Sequence, residues 1–181
     1  SEGVTYAFRE LELPEGLTPV RAAAGGEGVL LAASSFEIVE EDGAERAKFG
    51  AWLLGYDAET GAYRSLCTLE TGGSPDVLVS GMAADGDIWL LISRRGEASG
   101  LQRLSAEGAL LGEWSLELLS GDGYVSGLAA ASGRLCLPCQ VERGAQLRVF
   151  SFESGEPELI GTEELPRDAI ISGSVGGVAL G

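Results

Sequence analysis

From residue 77 to 119 short apolar runs alternate with polar, glycine-bearing breaks, and each run is of strand length. Residues 77–83, apolar or small throughout, predict a first strand, and Asp85-Gly86-Asp87 supplies the tight-turn chemistry that starts a hairpin. Residues 88–93 return as a second strand, residues 94–100 read as a polar loop, 101–104 as a third strand, 106–108 as another turn and 110–119 as a fourth strand. Glycines, 28 in all, interrupt every run before a helical period can establish itself, so a helical reading fails.

The same order returns downstream. Strands are expected at 124–130, 135–137, 147–152 and 158–165, with turns at Ser132-Gly133 and Ser154-Gly155 and a loop through Glu142-Arg143-Gly144. Residues 17–70 follow the plan as well, with a longer loop expected at 36–48. A phrase D-x-x-[V/I]-S-G opens at Asp76, Asp122 and Asp168, 46 residues apart each time, and the glycines closing the third turns, Gly61, Gly108 and Gly155, are 47 apart. Repetition with a period in the forties, made of short strands and glycine turns, predicts four-stranded propeller blades. The expected fold is therefore all-β, a β-propeller fragment of about three to four blades in one partial domain spanning 1–181. Blades are placed at about 17–70, 77–119 and 124–165, with 4–13 and 169–181 as parts of incomplete ones. A β-sandwich is the rival fold, but it does not explain equal spacing in successive units.

The turn Tyr56-Asp57-Ala58-Glu59-Thr60-Gly61 resembles the Asp-x-x-Thr-Gly turn of quinoprotein-type and NHL-like propeller repeats. The first unit departs from the repeated phrase, since Leu17, Arg21 and Ala22 fall where Asp76, Ser80 and Gly81 stand in the second. Tyr6 to Pro14 reads as a fourth strand and 169–180 as strands one and two, so the shared blade lacks its third strand. Further blades downstream, or another domain or copy, would complete the ring and remove the exposed edge. The chain begins at Ser1 without a methionine and stops at Gly181 within an apolar run, and is expected to be a piece of a longer protein.

Charge narrows the partners. With 12 basic against 28 acidic residues, net −16, and Lys48 as its one lysine, the chain lacks the cationic surface that phosphate binding needs, so a nucleic-acid partner is not expected. No run approaches the ~18 apolar residues of a membrane span. In a propeller the blade-to-blade loops and those between second and third strands gather on one face. Asp76, Asp122 and Asp168 are therefore expected to form part of a ring there, binding a cation or polar solute or else accepting backbone N–H bonds within their own turns. A second loop set carries residues 36–48, Arg94, Arg95 and Arg143, whose planar guanidinium forks suit an acidic ligand or a neighbouring domain.

Other constellations read as structural. Cys136-Leu-Pro-Cys139 has metal-ligand spacing, but the chain has no His and its third cysteine, Cys67, belongs to a different unit, so buried small residues are expected rather than zinc, a redox pair or a disulfide. Glu40-Glu41-Asp42, Asp85/Asp87 and Glu163-Glu164 lack calcium-loop spacing. Trp52, Trp89 and Trp114 fall inside predicted strands and read as core between sheets. Neither His nor Asn occurs, which removes the usual general base and the mixed Glu/Asn/Asp/His metal sites of propeller hydrolases.

No metal site, cofactor or enzymatic activity is expected of this segment. The expected function is a non-catalytic binding or interaction module, with a small solute or protein as partner, in a larger exported or surface bacterial protein. The architecture and composition look like the propeller stretches of extracellular solute-binding lipoproteins. The alternatives are a fragment of a propeller enzyme, hydrolase- or lactonase-like, whose catalytic residues lie elsewhere, and a structural spacer.

Overall fold

The computed structural model describes residues 12–25, 28–69, 77–94, 97–121, 123–142 and 144–165. Within them the chain is all-β, with three antiparallel sheets made of consecutive strands. The first sheet runs β1 (Leu17–Gly25), β2 (Gly28–Glu41), β3 (Ala44–Tyr56) and β4 (Tyr63–Leu69) in spatial as in chain order. The second repeats the meander with β5 (Val77–Asp85), β6 (Asp87–Arg94), β7 (Glu97–Leu104) and β8 (Leu110–Ser115), followed by a short helix α1 (Leu116–Ser120). In the third, β9 (Tyr124–Val125) and β10 (Ala129–Ala131) both pair with β11 (Arg134–Val141), which continues to β12 (Gly144–Ser151) and β13 (Glu158–Leu165).

The three meanders share their irregularities. The register shifts in the first strand between Pro19 and Arg21 and between Val79 and Gly81, and the third sheet breaks at the same place, between β9 and β10. The Ser80 and Ser126 hydroxyls there donate to the carbonyls of Leu91 at 3.2 Å and Pro138 at 3.3 Å on the neighbouring strand. The bulge aligns Val20 with Ser80 and Arg21 with Gly81, one residue off the match that the sequence suggests for Arg21 and Ala22. Fourth strands are interrupted too, opposite Leu53/Leu54, Arg103/Leu104 and Val149/Phe150, and such bulges twist an edge away from further pairing.

Alternation in β6 decides how the sheets stack. Ile88, Leu90 and Ile92 face the first sheet and pack with Leu30, Ala32 and Leu53, whereas Trp89 and Leu91 face the third and pack with Leu135, Leu137 and Phe150. The central strand is thus buried on both faces, which is why it reads as an unbroken apolar run rather than as alternation. β5 lies beside both β1 and β10, so the first strands of the three sheets are neighbours. Trp89, Trp114 and Phe152 form one aromatic cluster between the second and third sheets, with Trp89 and Phe152 centroids 4.5 Å apart. Trp89 is core there as expected and Trp114 packs against it partly buried, while Trp52, part-buried on the far face of the first sheet, donates its Nε1–H to Ser35 Oγ at 3.2 Å.

Several expectations need correction. Residues 36–48 are not a loop: β2 and β3 continue past the sheet as a two-stranded ribbon paired through Phe36↔Phe49 to Glu41↔Ala44. Asp42 and Gly43, at φ 55° and 74°, turn it, the Asp-Gly conformation of a two-residue hairpin whose twist matches its strands. The polar stretch 94–100 is also mostly strand, since Arg94 ends β6 and Glu97 starts β7. The fourth strand of the second unit stops at Ser115, whose hydroxyl accepts the Glu117 N–H at 3.3 Å and caps α1 instead. The strand expected at 124–130 is split at 126–128. Of the strand expected from Tyr6 to Pro14, Glu12 to Pro14 are not strand and the rest lies outside the described residues, as do 169–180.

Candidate functional site

Antiparallel meanders put the β2–β3, β6–β7 and β11–β12 connections at the end where the first strands begin, because Leu17 pairs with Ser35, Val77 with Arg94 and Tyr124 with Gln140. The sheets run in step, since Arg21 Nε on β1 donates to the Ser80 carbonyl on β5 at 3.0 Å, and at the opposite end Asp85 Oδ2 accepts the Gly133 N–H at 2.7 Å. The three connections therefore share one face.

Arg94 stands on that face, exposed, at the end of β6. It lines a shallow groove of about 230 Å³ together with Ile92, Ser99, Gly100, Glu113, Trp114 and Ser115. It also borders a small cavity of about 20 Å³ between the first two sheets, against Ala51, Leu69, Val77 and Gln102. A guanidinium, two hydroxyls and a carboxylate around an open groove can hydrogen-bond a polar solute or a polypeptide. Asp76, Asp122, Asp168, Arg95 and Arg143 lie outside the described residues, so of the proposed binding set the structure places Arg94 alone.

The carboxylate that the structure does build into a turn is Asp57. Its Oδ1 accepts the N–H of Glu59 at 2.8 Å and of Thr60 at 3.1 Å, while Gly61, at φ 75°, returns its N–H to the Asp57 carbonyl at 2.8 Å. The Thr60 N–H foremost, then its hydroxyl and the Glu59 N–H, hold the Asp57 carboxyl below the ordinary carboxylate range. In the second sheet Ser105 takes the same role, accepting from Glu107 and Ala109, and Gly108 donates to its carbonyl. The diagnostic turn is a local structural device facing away from the Arg94 end.

Two of the three cysteines are core, and Cys67 packs partly buried against the core between the first two sheets. Cys136 and Cys139 are buried on β11, all three are free thiols, and the Cys139 S–H points to the Leu137 carbonyl at 3.6 Å. Loss of hydration raises each thiol, with Cys139 pushed up to about 11. No cluster of three or more His, Cys, Asp or Glu suited to a metal occurs among the described residues. Nor is any described helix long and apolar enough to cross a membrane.

Two features escaped sequence reasoning. The ribbon leaves Phe36 and Ile38 57% and 62% exposed, although the Asp42-Gly43 pair between alternating residues was the signal for it. The other is Arg103, whose Nε donates to Asp87 Oδ2 at 2.6 Å while its guanidinium lies 5.3 Å over the Trp89 ring, a partly buried cross-strand pair fixing the start of β6. No family model matches the chain, and no curated protein matches it.

Proposed function

We propose that this chain is part of a β-propeller and acts as a non-catalytic binding or interaction module of a larger exported or cell-surface bacterial protein. The observation that carries the reading is the recurrence of one four-strand meander, with equivalent bulges and equivalent Ser80 and Ser126 hydrogen bonds, in sheets whose first strands lie side by side. Successive blades around an axis are built in this way, and their connections on one face are where propellers engage ligands. Arg94 in its polar groove and the ribbon of β2 and β3 stand on that face.

A binding role rather than catalysis is supported by the chemistry present. The chain has no His, and loss of hydration raises all three thiols, which disfavours the nucleophilic thiolate. The groove by Arg94 is open and shallow, suited to contact rather than to excluding water from a reaction.

The test is thermal stabilisation by calcium, sugars and acidic peptides, measured on the unaltered chain and on Arg94→Ala and Asp122→Ala. Stabilisation by one of these classes that weakens in either variant supports the reading. A melting temperature unmoved by every class, or moved equally in all three proteins, removes it.

A further inference from the structure

We draw no further inference here: the strongest candidate, the exposed apolar patch of Phe36 and Ile38 on one face of the β2–β3 ribbon, is a sheet face for which nothing in the structure shows what covers it.

Discussion

Asp85 closes the β5–β6 hairpin and at the same time reaches the next sheet, where its Oδ2 accepts the backbone N–H of Gly133 at 2.7 Å. Gly133, at φ 71°, is itself a residue of the β10–β11 turn, so one carboxylate ties equivalent hairpins of two successive sheets. Farther along the same pair of sheets, Trp114 Nε1 donates to Glu156 Oε2 at 3.0 Å, from the fourth strand of one to the third turn of the next. Polar contacts thus hold the sheets in step at the ends of a core that apolar side chains fill.

Asp85→Ala is expected to lower stability by about 1 kcal/mol, the net worth of an exposed charge-assisted hydrogen bond, and Asp85→Asn by less, because the amide oxygen still accepts. Urea unfolding measures both. Equal losses in the two variants, or none in either, would contradict the staple.

Gly108 and Gly61 separate two reasons for glycine. Both have positive φ, 91° and 75°, but a Cβ at Gly108 would come within 2.9 Å of the Leu66 backbone on the preceding sheet, whereas one at Gly61 meets nothing within 4 Å. Gly61→Ala is expected to cost roughly 1 kcal/mol from backbone strain alone and Gly108→Ala clearly more. The reverse order in denaturant melts would mean that the sheets do not approach through this turn.

Leu90 is fully buried in the central strand between the first two sheets. Truncation to alanine is expected to cost ~2–5 kcal/mol, from lost transfer energy and the cavity left behind. Thermal unfolding of Leu90→Ala beside Leu110→Ala, an exposed position, checks this, since the second should change little.

Burial predicts the order of thiol reactivity. In the folded chain at pH 8, Cys136 and Cys139 should react with a thiol reagent far more slowly than after unfolding in guanidinium, and Cys67, half-buried, should lead. Rapid release of all three thiols under native conditions would show that β11 is not core.

The Asp57 turn makes stability depend on acid. Because its folded carboxyl is held below the ordinary value of 3.8, the contribution of the ionised group is present above that value and lost as pH falls through the folded one. The melting difference between the unaltered chain and Asp57→Ala should therefore narrow when pH is lowered from 6 towards 2. A constant gap across that range would exclude the carboxylate as its source.

Much of the fold was legible because it is local. Strand-length apolar runs, the hairpin at Asp85-Gly86-Asp87 and the third-turn glycines Gly61, Gly108 and Gly155 all depend on neighbours within a few residues, and the strand Glu158–Leu165 lies where the pattern puts it. The ribbon was misread because its charge resembles a solvated loop, while its Asp42-Gly43 turn, a purely local signal, was there to be used. The end of β8 was missed for a different reason. Leu116 and Leu119 continue the apolar run, and only their packing against the second and third sheets favours the capped turn over further strand.

The candidate site was less legible. The spacing of the aspartates singles out Asp76, Asp122 and Asp168, but spacing does not tell whether a carboxylate meets a ligand or its own turn, and Asp57 illustrates the second outcome. Arg94 in sequence looks like any loop cation, and its place at the mouth of a groove depends on Glu113 and Ser115 arriving from β8.

By itself the sequence determined the repeat, the all-β character and the meander order, since turn chemistry and the period-two pattern act over short range. Only the tertiary structure decided which faces of β6 meet which sheets, that Asp85 finds Gly133 and that β2 and β3 run on together as a ribbon beyond Ser35. These depend on distant segments competing for the same surface, and burial rewards whichever arrangement removes the most apolar area from water, a quantity that no stretch of residues carries alone.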